Sequence, residues 1–220
     1  MIKTLIISPH LDDEVLGVGG TIAKLVDEGH EVSVIFTAYR KYKNKINKKN
    51  IEKDKKKAKK AQLILGYKNS FFLDLEDEAL HKNFNLLLTK LEKQVNKINP
   101  DNLYCCYFED NNQDHRTVYD VARIIFRWSS GIKNVYLYET PSSTEASPSI
   151  QSKDFVPNFF VNISNYLEKK IEAMKCYDNE LKEFPNARSI EGIKTYAKFR
   201  GMACGLKHAE AFMILRKIMD

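Results

Sequence analysis

The segment "SPHLDDEVLGVGG", residues 8–20, sets a histidine and three consecutive acids behind a short apolar run and ahead of a cluster of glycines. Three kinds of chemistry could use it: a divalent metal site, a nucleotide-binding loop, or a helix start that merely takes acidic residues. The glycines fit the nucleotide loop poorly. A dinucleotide fingerprint needs GxGxxG in the turn directly after the strand, but only Gly17 and Gly19 fill its places, Ile22 occupies the third, and the series begins too late. Small residues at 17, 19 and 20 instead let a helix lie close to a sheet, at a propensity cost of about 1 kcal/mol each.

Acids at a helix start also have a structural use, since carboxylates accept from free N–H groups and favour the positive end of the macrodipole. That accounts for one of Asp12, Asp13 and Glu14 and leaves His10 unexplained. A histidine three residues before Asp13 can converge with it across a turn of chain, giving one nitrogen and one oxygen ligand for a divalent ion. Zinc with three protein ligands and an open position is the hydrolytic arrangement, so a further ligand must come from His30, His81, His115 or His208. His115, in "EDNNQDHRT", follows a predicted strand, whereas His30 stands at a helix end beside Gly29, and His81 and His208 fall in predicted helical stretches. Once His10, Asp13 and His115 are assembled, Asp12 stands beside the metal with no coordination role, where a general base belongs. The chemistry implied is hydrolysis of an unactivated amide or ester, with the developing oxyanion held by the metal and fixed donors.

These residues need elements that bring positions a hundred residues apart together. Residues 3–8 read as a buried strand, 13–28 as an amphipathic helix, and "EGHEVSVIFTA" as a second strand. A helix ending at Gly66, the strand "SFFLDL", a helix over 79–97, the strands "NLYCCY" and "NVYLYE", and the helical segment "TVYDVARIIFRW" follow. Residues 164–184 and 190–218 read as mainly helical, and "TPSSTEASPS" as a polar loop over the active edge. Strands alternating with helices predict an open α/β sheet whose ligands bind beyond the carboxyl ends of the strands. His10 to Glu14 and Glu109 to His115 both follow such ends, as do Arg40 and Glu139. Arg40 could hold a phosphate or carboxylate bidentately or simply begin a basic run on the surface. Glu139 could meet sugar hydroxyls or cap a local backbone.

At 220 residues and 43 % hydrophobic, the chain supports one domain over 1–220 with a substantial core. Cys105, Cys106, Cys176 and Cys204 show no CxxC spacing and read as reduced thiols of a cytoplasmic protein. No segment approaches the roughly 20 apolar residues of a membrane span. The net charge of +6 is uneven: residues 41–60 hold eleven lysines against Glu52 and Asp54. That run reads as a solvated helix face and not as a nucleic-acid site, because it lacks interleaved arginines and has only Tyr42 for stacking.

"PHLDDE" followed by "QDHR" resembles the N-acetylglucosaminyl de-N-acetylase family, called PIG-L or LmbE-like, whose signature pairs (A/P)HPDDE with a later HPDH or HQDH. "GGTIAKLVDEGHEV", "AKKAQLILG", "YETPSSTE" and the terminal "CGLKHAEAF" also resemble family segments. The resemblance implies a Rossmann-like three-layer α/β fold, a mainly parallel sheet covered by helices on both faces. It implies Zn2+, or in some members another divalent ion such as Fe2+, and removal of an acetyl group from a glucosamine unit. Carried onto this chain, it makes His10, Asp13 and His115 the metal ligands and Asp12 the base. Leu11 replaces the family's proline, and Asn112 stands where the first histidine of HxDH is expected. The family assigns that histidine to the oxyanion or to the leaving amine. An amide can donate a hydrogen bond but cannot serve as an acid near neutral pH. Asp114, which braces that histidine in the family, is left to orient Asn112 or to serve the structure. The expected function is zinc-dependent deacetylation of an N-acetylated amino sugar or sugar nucleotide, with no nucleic-acid partner and the oligomeric state left open. The alternative is a catalytically weakened metal- or sugar-binding member of the family.

Overall fold

The computed structural model describes residues 1–40, 47–127, 131–147 and 154–219. Strand β1 (Lys3–Ser8) and strand β2 (Glu31–Tyr39) are almost wholly buried along their length, as strands covered on both faces must be. β1 pairs in parallel with β2 on one side and with β4 (Asn102–Cys106) on the other. β3 (Asn69–Glu76) extends the sheet beyond β2, and β5 (Asn134–Tyr138) beyond β4, again in parallel. Parallel neighbours need crossovers, supplied here by α1 (Asp13–Asp27), α2 (Lys48–Leu65), α3 (Phe84–Ile98) and α4 (Gln113–Ile125). Right-handed crossovers place α1 and α2 on one face and α3 and α4 on the other. The packing agrees: α1 and α2 touch each other and α5 (Leu167–Lys175), while α3 packs on α4.

The α/β fold expected from the sequence is therefore present, and its far edge corrects the helical reading of the C-terminal third. Helix α6 (Ile190–Met202) ends early, and Ala209–Arg216 forms strand β7, antiparallel to β5. Strand β6 (Phe159–Asn162) pairs antiparallel with β7 and completes the order β3-β2-β1-β4-β5-β7-β6. The run "AEAFMILR" is apolar almost throughout, and such a short run does not distinguish a buried strand from a helix by periodicity. Within 164–184 only α5 is an α-helix, and within 79–97 a 3-10 turn over Leu80–Asn83 precedes α3.

Strand order reverses beside β1: the chain runs outward to β3 on one side, then returns to build β4 and β5 on the other. The carboxyl ends of β1 and β4 consequently open a crevice, the position where such sheets bind ligands. The opposite edge is pinned by a side-chain ladder. Thr4, Asn102 and Asn134 stand in register, with Asn134 Nδ2 donating to Asn102 Oδ1 at 2.8 Å and Asn102 Nδ2 to Thr4 Oγ1 at 3.3 Å.

The lysine-rich segment from Lys48 onward is α2, capped by the Asn47 side chain, with Ala58, Ala61 and Leu65 turned inward. Lys55 and Lys57 are drawn into ion pairs with Asp74 and Asp178. Lys41, Lys43 and Lys45 lie outside the described residues, as do residues 148–153, the first two of which end the expected polar loop. Among the described residues no helix is long and apolar enough to cross a membrane.

Helix α1 carries the acidic motif at its start, and its glycines let it sit against the sheet. A β-carbon on Gly17 would stand 2.8 Å from the Glu139 carbonyl oxygen, and one on Gly20 would stand 2.7 Å from the Ile163 side chain. A buried ion pair adds a second anchor. Glu210 accepts from Gly20 N and Thr21 N, while Lys170 Nζ donates to Leu16 O and Glu210 Oε1. Gly17→Ala should lower stability in urea unfolding by about 1–3 kcal/mol through overpacking, against a helix-propensity gain of about 1 kcal/mol. A variant as stable as the parent would show that α1 has room to shift.

Candidate metal centre and active-site cavity

The loop leaving β1 is tied down on both sides before it reaches α1. Ser8 Oγ donates to His10 O at 2.6 Å, and Pro9 O accepts from Thr37 Oγ1 and Ala38 N of β2. Asp13 Oδ2 accepts from the backbone N–H of His10 at 2.9 Å, so the three-residue spacing folds the histidine back over the first turn of α1. His115 enters from the other side of the crevice, in the first turn of α4. That helix is capped by Asn112, whose Oδ1 accepts from Asp114 N at 2.8 Å.

Three donor atoms meet there in a nearly equilateral triangle. His10 Nδ1 lies 3.3 Å from Asp13 Oδ2, His115 Nε2 lies 3.2 Å from Asp13 Oδ2, and the two ring nitrogens are 3.3 Å apart. Bonds of about 2.0 Å in a tetrahedral site imply ligand–ligand separations of roughly 3.3 Å. The triangle thus matches one face of such a site, and Asp13 Oδ1 is buried with no hydrogen-bond partner among the described residues. His10, Asp13 and His115 fit a divalent ion in both donor type and spacing.

The far nitrogen of each ring is also met by carboxylate, the arrangement that orients metal-binding histidines. His115 Nδ1 stands 3.4 Å from Asp110 Oδ1, and Asp110 is held by Asn112 N, Ser143 and Thr144. His10 Nε2 stands 3.2 Å from both Asp77 Oδ1 and Asp114 Oδ2. Asp114 Oδ2 also accepts from Glu78 N at 2.7 Å. The Asp114 carboxylate therefore steadies His10, and only its backbone touches the Asn112 side chain. Of the two roles left open for Asp114, orienting Asn112 or serving the structure, the carboxylate's contacts fit the second: the first turn of α4 turns it toward the β1 loop. His10, Asp77 and Asp114 form a second close donor set. The first set is the better site, because there both imidazoles converge on one buried carboxylate.

Burial would raise the Asp13 carboxyl, but the His115 and His10 rings outweigh it and hold Asp13 well below the usual carboxylate range. Burial would likewise lower His115, yet Asp13 and Asp110 push it up to about 9. Asp12 is pushed up to about 7 by burial; Arg188 opposes the shift, and Asp13 and Glu14 add to it. Arg188 Nη1 lies 3.4 Å from Asp12 Oδ2.

Asp12 and His10 line a cavity of about 230 Å3 together with Arg40, Asp77, Asn112, Tyr177, Glu180 and Arg188. Arg40, predicted at this edge, is at the cavity but is paired with Glu180, which also binds Arg188 at 3.0 Å. Glu139 lies outside it. Its carboxylate is buried and bound bidentately by Arg200, at 2.7 and 2.5 Å. The expected sugar contact at Glu139 is thereby corrected, since both its oxygens are already engaged by a guanidinium. Sequence reasoning missed Asp77, Asp110, Tyr177, Glu180 and Arg188. Asp77 follows the carboxyl end of β3 and Asp110 that of β4, so the strand-end rule could have found both. The other three come from a segment after α5 whose pattern carries no such signal.

The family model described as PIG-L, GlcNAc-PI de-N-acetylase, matches residues 5–126. The diacetylchitobiose deacetylase of Thermococcus kodakarensis is 26 % identical over 94 % of this chain and 81 % of its own length. The solved N,N'-diacetylchitobiose deacetylase of Pyrococcus horikoshii superposes with a TM-score of 0.77 at 23 % identity, covering 97 % of this chain and 84 % of that one. A Pseudomonas putida 4-carboxy-2-hydroxymuconate hydratase superposes with a TM-score of 0.78 at 20 % identity, covering 100 % and 98 %. One fold thus carries unlike reactions, and the site must decide between them.

Added Zn2+ should raise the melting temperature of the chelator-treated protein, since a ligand that binds only the folded state stabilises it. His115→Ala should abolish that rise. Asp114→Asn should weaken Zn2+ binding by about 10- to 100-fold in a competition titration, and unchanged affinity would show that His10 needs no such support.

Proposed function

Since the chain belongs to the PIG-L, GlcNAc-PI de-N-acetylase family, we propose that it is a metal-dependent hydrolase that removes the N-acetyl group from an amino-sugar derivative and releases acetate. The observation that carries this reading is the 3.2–3.3 Å triangle of His10, Asp13 and His115, with Asp12 at the wall of the adjoining cavity. A hydratase would also need water activated near a carboxylate. The match to the de-N-acetylase family model and the deacetylase relatives favour amide hydrolysis.

His10, Asp13 and His115 would hold a divalent ion, Zn2+ by its fit to two nitrogens and one oxygen in a tetrahedral face. That ion supplies Lewis acidity toward the acetyl carbonyl and a lowered pKa for water. Asp12 is not among the three ligands and accepts the proton of the attacking water. It can then return that proton to the departing sugar amine, the acid and base halves being done by one carboxyl. Asn112 Oδ1 is committed to Asp114 N, which leaves the Nδ2 group as the hydrogen-bond donor for the developing oxyanion. The cavity is smaller than the roughly 300 Å3 at which drug-sized ligand sites begin, so it accepts one sugar unit with the remainder of the substrate outside. On this reading Arg40 and Asp77, which line the cavity beside their contacts to Glu180 and His10, meet that unit's hydroxyls.

Asp12→Asn should retain the metal and lose acetate release by about 100- to 10,000-fold, measured on a panel of N-acetylated sugars, sugar nucleotides and N,N'-diacetylchitobiose. Full activity in that variant would remove Asp12 from the reaction. Asn112→His should raise kcat if a separate acid is missing. An unchanged rate would mean that Asp12 already serves as both base and acid.

A further inference from the structure

Asp12 occupies a backbone conformation, φ 119° and ψ −26°, that belongs to glycine. A strained residue persists only where its surroundings over-determine it. The carbonyl of Asp12 accepts from Val15 N and Leu16 N and so begins the hydrogen-bond ladder of α1. Its N–H donates to Glu14 Oε2 at 3.0 Å. The other oxygen of that carboxylate, Glu14 Oε1, accepts from Tyr177 Oη at 2.6 Å. Glu14 is 0 % exposed and Tyr177 is 2 % exposed, so neither hydrogen bond is shared with solvent. Glu14 is accordingly the one acid of the motif that neither joins the metal triangle nor lines the cavity.

We infer that Glu14 and Tyr177 are a positioning pair: Tyr177, fixed just beyond α5, orients the Glu14 carboxylate, which holds the Asp12 peptide in its left-handed conformation and so aims the Asp12 side chain into the cavity. Two donors on two separate oxygens require a carboxylate, because a glutamine offers only one acceptor oxygen. His10, Asp13 and His115 are tied to one another by their own contacts at 2.9–3.3 Å, so loosening the Asp12 peptide displaces the Asp12 side chain before it disturbs the triangle. The pair therefore acts on turnover and not on metal retention. This inference rests on the reading of Asp12 as the base for its effect on rate, but its effect on the backbone is independent of that reading.

The test has two arms. In the first, Asp12→Gly and Asp12→Ala are compared by thermal unfolding of the Zn2+-loaded protein, alone and combined with Tyr177→Phe or Glu14→Gln. A clamped left-handed peptide makes the glycine variant melt higher than the alanine variant, and that gap should shrink by about half or more once the clamp is cut. A gap of the same size in all backgrounds would overturn the inference, because the rest of the loop would then set the peptide. In the second arm, acetate release from N,N'-diacetylchitobiose and N-acetylglucosamine is measured for Tyr177→Phe and Glu14→Gln. The expected result is a kcat lower by roughly 10- to 100-fold, the cost of misplacing a reacting group, with KM and bound Zn2+ within about twofold of the parent. Unchanged kcat in both variants, with Asp12→Asn inactive, would overturn the positioning role and leave the base assignment intact. If the parent protein released no acetate from either probe, the functional reading would fail on that point, while the melting comparison would still decide whether the clamp exists.

Discussion

The structure is organised around one buried carboxylate. Asp13 has no exposed surface, and removing an unpaired carboxylate from water is among the most expensive things a fold can do. Two imidazoles and one backbone N–H converge on its Oδ2, and three more carboxylates, Asp77, Asp110 and Asp114, back those imidazoles. The concentrated negative charge demands positive charge at the centre of the cluster. Protons on the two rings meet that demand in part, which is why His115 holds its proton up to about pH 9 despite burial. A divalent cation meets it more fully, and must displace those protons to bind. The acids behind the histidines thus serve the site through its charge as well as through ring orientation.

The sheet makes that convergence affordable in chain entropy. β1 and β4 are neighbours although they lie about a hundred residues apart in sequence, and the strand order reverses between them. The two histidines need only short loops from the ends of those strands to meet. Everything packed behind α1 serves the same end: Gly17 and Gly20 let it approach Glu139 and Ile163, and the Lys170–Glu210 pair binds its backbone from α5 and β7. These contacts set where the start of α1, and with it the acidic motif, comes to rest.

The local half of this arrangement was legible in the sequence, because it depends on near neighbours. His10 and Asp13 at a three-residue spacing, the buried β1, and the helix that follows are all patterns of residue type over short range. His115 is legible by position, as the one histidine after a strand on the ligand-binding edge, and by the QDHR motif that contains it. What the sequence did not disclose depends on tertiary packing. Arg188, Tyr177 and Glu180 reach the cavity only because α5 lies across α1 and α2. Glu139 looked like a ligand-facing strand end because nothing in its neighbourhood announces Arg200, sixty-one residues away in sequence, as its bidentate partner. β7 reads as helix for a related reason: the run Phe212–Leu215 has no alternating polar residues and so lacks the period by which strands and helices are told apart.

Asn112 stands where these constraints meet. The first turn of α4 must present both Asp114 and His115, one to each side of His10's ring, so its start cannot fray without loosening the cluster. Asparagine is among the best residues for capping such a start, and Asn112 Oδ1 makes that bond to Asp114 N. With its oxygen engaged, the Nδ2 group is left as a donor on a rigid mount at the cavity wall. A donor there can stabilise negative charge but can release no proton near neutral pH. On the proposed reaction, acid catalysis then falls to a group that gained a proton earlier in the cycle. Under that reaction the group is Asp12, whose carboxyl burial pushes up and which lines the cavity wall beside Asn112.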